Sequence, residues 1–291
     1  MTASTGPERA RTEPLLEVGG LHVAYPGRRW RGGAVPVLHG VSLDVRPGET
    51  LGIVGESGCG KTTLGRAVLG LAPVTAGDIR YRGRDITHLP RRERRALATE
   101  IQVVFQDPHS SLNPAHTIGE ILTEPLTTVG TLTPAAAGAR VRELLGRVGL
   151  PADAARRLPR EFSGGQRQRI AIARALALEP RLIICDEPVS ALDLSTQSRV
   201  LELLWEIQET TGVAYLFISH NLAVIRHLSH RVAVLYRGEI VETGSGEQVT
   251  SRPRHPYTQR LLMAAPLADP QRQAERREQR RRLTAHPVPE R

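Results

Sequence analysis

The chain has 291 residues, 40% of them hydrophobic, enough to bury a sizeable core, and a formal charge of +9 that suits anionic partners without naming one. Its two cysteines, Cys59 and Cys185, exclude a disulfide framework or a cysteine-rich metal site and point to a reducing compartment. No apolar run approaches the ~20 residues that span a bilayer, and Met1 to Glu13 lacks the hydrophobic stretch of a secretion signal, so a cytoplasmic location is expected.

Residues 1–14 are polar and read as a loose leader. Leu15 to Tyr25 and Val37 to Val45 alternate apolar and polar residues, as half-buried strands do, with a Gly/Arg-rich loop from Gly27 to Gly33 between them. This predicts an antiparallel opening. Thr50 to Val54 is a short apolar strand that runs into a glycine-rich loop and then a helical pattern from Lys61 to Leu69. From about Asp107 to Leu178 the pattern becomes helical, with breaks expected at Pro114, Pro125, Pro134 and Pro151, and is read as a helical insertion. Leu182 to Cys185 and Ala214 to Ile218 read as buried parallel strands. Val232 to Tyr236 and Glu239 to Val241 flank Arg237-Gly238, a hairpin turn signal. Beyond Asp269 arginines alternate with Glu and Gln without an apolar stripe or interleaved aromatics, so a solvated tail is favoured over a nucleic-acid grip.

A strand, then Gly55-Glu56-Ser57-Gly58-Cys59-Gly60-Lys61-Thr62, then a helix is the P-loop arrangement. Backbone N–H groups point at phosphate oxygens, Lys61 reaches the β and γ phosphates, and Thr62 ligates Mg²⁺, with Thr63 in the same cradle. Lys61 is the one lysine among 39 Lys and Arg residues, in keeping with a site that wants a slim ammonium in place of a planar guanidinium. Cys59, before a helix and among N–H donors, is expected to favour its thiolate. The apolar strand before Asp186-Glu187 delivers two carboxylates, Asp186 for the metal and Glu187 to polarise an attacking water. Ser219-His220 repeats that layout, with His220 near the γ-phosphate. Gln106, after Val103-Val104-Phe105, is the analogous polar residue at the mouth of the insertion, able to sense Mg²⁺ or water.

Phe162-Ser163-Gly164-Gly165-Gln166 opens a second helix N-terminus suited to an anion. Two anion cradles and one nucleotide imply that a second subunit's ATP uses this one. The set resembles the ABC-type ATPases: Walker A at 55 to 62, Q-loop Gln106, signature 162 to 166, Walker B 182 to 186, Glu187, the D-loop Ser190-Ala191-Leu192-Asp193, and His220. The resemblance implies an α/β P-loop fold over residues 15–265, with a mostly parallel core sheet, an antiparallel β subdomain, and a helical subdomain at about 107–178; residues 266–291 form the basic tail. It also implies Tyr25 stacking on adenine, Glu187 as catalytic base, His220 as the γ-phosphate switch, and Asp193 acting across a dimer. Phe162 departs from the common leucine but keeps the position apolar.

Gln106 to Pro114 (QDPHSSLNP) and His255 to Leu262 (HPYTQRLL) are similar to the ATP-binding subunits of dipeptide/oligopeptide importers, a group that includes nickel and glutathione importers. That likeness implies ATP and Mg²⁺ as cofactors, a second ATPase subunit, two membrane permeases fed by a solute-binding protein, and a place on the cytoplasmic face of the membrane. Some members carry a C-terminal cysteine cluster for an iron–sulfur centre, which this chain lacks. Peptide is the expected solute, with nickel or another small solute as the alternative. A soluble ABC ATPase of DNA repair or translation would be expected to bring tandem domains, zinc fingers or coiled coils, and none is present in this sequence.

Overall fold

The computed structural model describes residues 13–27, 33–107, 111–128 and 133–264. The leader up to residue 12, the loop at 28–32, Pro108 to Ser110 of the Gln106 segment, and the solvated-tail expectation beyond Asp269 lie outside the described residues.

Leu16–Tyr25 (β1) and Val35–Val45 (β2) form the antiparallel opening, and the fully buried Thr50–Val54 (β3) feeds the P-loop and Lys61–Val68 (α1). Next come Val74–Tyr81 (β4), Arg84–Asp85 (β5), Arg91–Leu97 (α2) and Ile101–Val104 (β6). Ile118–Thr128 (α3), Pro134–Arg147 (α4) and Gly164–Leu176 (α5) make up the helical stretch. The chain then alternates through Leu182–Asp186 (β7), Leu194–Thr211 (α6), Ala214–Ser219 (β8), Leu222–Leu228 (α7) and Arg231–Tyr236 (β9). Glu239–Ser245 (β10), Gly246–Ser251 (α8) and Pro256–Ala264 (α9) complete it. Among the described residues no helix is long and apolar enough to cross a membrane.

The described residues form two sheets, one ordered β2-β1-β4-β5 and one ordered β10-β9-β3-β8-β7-β6. The first is antiparallel; in the second, β9, β3, β8, β7 and β6 run parallel and β10 is antiparallel at the edge. Strand alternation divides the core in two. Ile183, Cys185, Tyr215 and Phe217 face the helices α3 to α6, whereas Leu182, Ile184, Leu216 and Ile218 face α1 and the antiparallel sheet. Burial on both faces explains why β7 and β8 read as unbroken apolar runs.

The stretch from β4 to α2 carried no assignment from sequence. β4 holds Gly77 at φ 85 and buries only Ile79 and Tyr81, so its alternation is faint. Proline also misled at one place: α3 continues through Pro125, because Ile121, Leu122 and Leu126 are buried around it and packing outweighs the lost backbone bond. Pro134 instead opens α4 at its first turn behind the Thr133 cap, where a missing N–H costs nothing. The Arg237-Gly238 hairpin is found as expected, both residues at positive φ of 48° and 82°.

Candidate functional site

Because β3, β8, β7 and β6 are parallel neighbours, their carboxyl ends bring the P-loop, Asp186-Glu187, His220 and Gln106 to one edge of the sheet. Gly60 ends the P-loop at φ 109, and a Cβ there would lie 2.7 Å from Leu38 Cδ2, so glycine is required. As the N-cap of α1 it supplies no side-chain bond to the first helical N–H groups, which leaves them for an anion. Lys61 is buried and its Nζ donates to the carbonyls of Gly55 (2.8 Å) and Glu56 (2.9 Å). Ser57 and Gly58 are exposed and Thr63 is half-buried on the first turn of α1.

Cys59 corrects one expectation. The residue is 8% exposed, and burial pushes the thiol above its ordinary range even though the Lys61 charge pulls the other way. The neutral thiol is therefore favoured, and the residue serves by its backbone: its N–H donates to Glu56 O and its carbonyl accepts from Gly238 N–H.

The two halves of the expected metal site meet. Thr62 Oγ1 donates to Asp186 Oδ1 at 3.1 Å. Burial raises the Asp186 carboxyl above its ordinary value against the opposing pull of the Thr62 hydroxyl. A carboxylate strained in this way beside a hydroxyl suits a hard cation, which would restore its charged form. Among the described residues no three His, Cys, Asp or Glu side chains converge as a metal cage. Gln106 is exposed just past β6.

Glu187 and His220, read from sequence as separate residues, form a pair: His220 Nδ1 lies 3.0 Å from Glu187 Oε2. The carboxylate is mostly shielded, its side chain 13% exposed, while the imidazole is half open. Glu187 adopts φ 50, held by its N–H to Ile218 O at 2.9 Å and by Ser190, whose N–H and Oγ both donate to its carbonyl. Its neighbour Ser219 is buried and accepts from Asn221 N–H, which fixes the turn that carries His220.

Tyr25 closes β1 half-buried against the core between the sheets. Ser163 caps α5 in a reciprocal capping box: its Oγ accepts from Gln166 N–H at 3.3 Å, and Gln166 Oε1 accepts from Ser163 N–H at 2.9 Å. The hydroxyl proton of Ser163 stays free to donate to an anion. A Cβ on Gly164 would only reach van der Waals distance of Leu192, whereas Gly165 packs so closely on α6 that a Cβ would lie 2.2 Å from Thr196 Cγ2. Phe162 is buried beneath the Arg157 guanidinium, 4.4 Å from its ring centre. Asp193 caps α6, accepting from Ser195 Oγ, Thr196 N–H and Thr196 Oγ1, and these bonds hold its carboxyl far below the usual range.

Two residues of the C-terminal segment have no sequence signal for a role at the site. Glu242 on β10 and Tyr257 on α9 carry no motif of their own beyond the His255 to Leu262 likeness, and only the fold brings Tyr257 to the P-loop, where Glu56 N–H donates to its Oη at 2.9 Å.

The ABC transporter family matches residues 38–190, and the oligopeptide/dipeptide transporter C-terminal region matches residues 241–288. The glutathione import ATP-binding protein GsiA of Pectobacterium atrosepticum is 49% identical over 267 residues, which cover 90% of this chain and 43% of GsiA. Its Escherichia coli namesake is 50% identical over 269 residues, covering 91% and 43%. The chain thus spans less than half the length of these relatives. Among solved structures, cbiO1 from Clostridium perfringens, part of the ABC transporter complex cbiONQ, superposes with a TM-score of 0.71 at 26% identity over 82% of this chain and 91% of its own. The ATP-binding cassette MJ0796, in a dimeric post-hydrolysis state with ADP and Pi, gives 0.70 at 29% identity over 79% and 98%. With more than half its length matched and both sheets in place beneath the P-loop, this chain belongs to the ABC transporter family, with a C-terminal region of the oligopeptide/dipeptide transporter type.

Proposed function

We propose that the chain is the ATP-hydrolysing nucleotide-binding subunit of an importer for small peptides, working at the cytoplasmic face of the membrane with a second ATPase subunit and two permeases. The reading rests on the pairing of Glu187 with His220 next to the Thr62–Asp186 contact, which sets a shielded base beside the metal position. The peptide class is supported by the C-terminal match and by the name of the glutathione-importing relatives; nickel or another small solute is the alternative.

In this reading Tyr25 stacks on adenine, and Gly55, Ser57, Gly58, Cys59, Gly60 and Thr63 shape the cradle. Lys61 leaves the Gly55 and Glu56 carbonyls for the β and γ phosphates. Mg²⁺, held by Thr62, Asp186 and Gln106, would neutralise phosphate charge. Glu187 takes the proton of the attacking water, and His220 orients that carboxylate while reaching the γ-phosphate. Ser163, Gly164, Gly165 and Gln166 complete the site of the opposing subunit, with Asp193 at the same seam. Hydrolysis removes the shared ligand, so the pair reopens, and the helical region at about 107–178 passes the motion to the permease.

Glu187→Gln is the test. Mg-ATP binding should persist and the nucleotide-bound chain should pair in size-exclusion chromatography, while turnover falls by about 10²- to 10⁴-fold. Turnover at the unmodified rate in the assembled transporter would remove Glu187 as the base.

A further inference from the structure

The P-loop is gripped from outside by the C-terminal segment. Tyr257 is 2% exposed, its ring stacks on Tyr236 with centroids 4.0 Å apart, and its Oη accepts the Glu56 N–H at 2.9 Å. The Glu56 N–H and the Gly55 carbonyl belong to one rigid peptide plane and point in opposite directions. That same Gly55 carbonyl accepts from Lys61 Nζ at 2.8 Å. One plane therefore has the phenol on one side and the phosphate-binding ammonium on the other.

The phenol is itself anchored. Glu242 accepts the N–H groups of Arg254 (2.9 Å) and His255 (3.0 Å) and the Gln248 side-chain amide (3.2 Å), which fixes the turn entering α9. His255 Nδ1 accepts Tyr257 N–H at 3.2 Å, and Gln259 Nε2 donates to Pro253 O at 3.1 Å. Burial pushes the Tyr257 hydroxyl up to about 12, so it is a neutral phenol throughout the working pH range.

We infer that Tyr257 is a positioning residue of the nucleotide site: by holding the Gly55–Glu56 peptide plane, it keeps the P-loop shaped for phosphate when Lys61 turns from the Gly55 carbonyl to the nucleotide. Without the phenol, that plane loses its second restraint at the moment the first is withdrawn. Through Tyr257 the C-terminal segment thereby supports the ATP site from the far side of the Gly55–Glu56 plane. The inference rests on the reading of Gly55 to Thr63 as the ATP cradle.

The unmodified chain and its Tyr257→Phe variant test the two readings separately. Phenylalanine keeps the ring and its stacking on Tyr236, so the fold is retained, and a thermal scan checks this. By calorimetric titration, Tyr257→Phe should bind Mg-ATP about 3- to 10-fold more weakly, the worth of one net hydrogen bond. Adding the permeases, KM for ATP should rise by a similar factor with kcat within twofold. In hydrogen exchange, the peptide containing Glu56 should lose protection in Tyr257→Phe without nucleotide, while the strands flanking it keep theirs. Mg-ATP affinity equal to that of the unmodified chain overturns the inference, whether or not the thermal midpoint moves. If the unmodified chain fails to bind Mg-ATP, the cradle reading falls and the positioning role falls with it.

Discussion

Glu187 is a non-glycine residue at φ 50, a left-handed conformation that costs about 1–2 kcal/mol for a residue with a Cβ. The bonds to Ile218 O and from Ser190 hold it there, and the result aims its carboxylate at His220. Strain kept at the place where chemistry is proposed is a trade of stability for geometry. Glu187→Gly should therefore raise the thermal midpoint, by about 2–4 °C for about 1 kcal/mol relieved, while abolishing turnover. A lower midpoint in a calorimetric scan would show that the His220 contact outweighs the strain. Both residues were legible as polar groups at the ends of apolar runs. Their contact was not, since it depends on β7 and β8 being adjacent, and adjacency is decided by the order of strands in the sheet. The Cys59 expectation fails for a related reason: a loop of N–H donors is visible in sequence, but the burial that favours the neutral thiol is a property of the packed core.

The helix that begins at the signature segment illustrates how an element carries two demands. Ser163 and Gln166 cap α5 for its own sake, and Gly165 lets that end lie against α6. Gly165→Ala would force its Cβ onto Thr196 Cγ2 at 2.2 Å and should destabilise the fold by about 1–3 kcal/mol. Thr196→Ser removes that methyl and keeps the hydroxyl bond to Asp193, so the double variant should regain most of the loss in a denaturant series. Additive losses in the two variants would show that the contact is not the cause. From sequence the glycine pair is readable as an anion cradle; its packing duty is not, because Thr196 is remote in the chain. Pro125 teaches the same lesson from the other side, a local breaker overruled by the burial of Ile121, Leu122 and Leu126.

At the scale of the whole molecule, Arg231 ties the two sheets. From β9 it donates to Asp44 of β2 through Nη1 and Nη2, both at 2.9 Å, and to Glu49 at 3.3 Å. The Arg231 hydrogen bond holds the Asp44 carboxyl below its ordinary 3.8 against the effect of burial. A depressed carboxyl contributes stability that is fully present above the unfolded value and is lost as pH falls through the folded one. Arg231→Met should thus cost about 1 kcal/mol at pH 7, a modest figure because the pair is partly screened by solvent. The gap from the unmodified chain should narrow as pH drops below 3.8, and thermal scans between pH 7 and pH 3 check the sign.

Local chemistry was written along the chain. The Gly55 to Thr62 loop, the apolar runs of β7 and β8, the Arg237-Gly238 turn and the Ser163 cap each depend on residues a few positions apart, so spacing alone determined them. The tertiary structure decided which of these meet. It set Glu187 on His220, Gly165 on Thr196, and Tyr257 on Glu56 across 201 positions of chain. Such contacts arise from strand order and from burial on both faces of a sheet, which are properties of the assembled core and have no period in the sequence to reveal them.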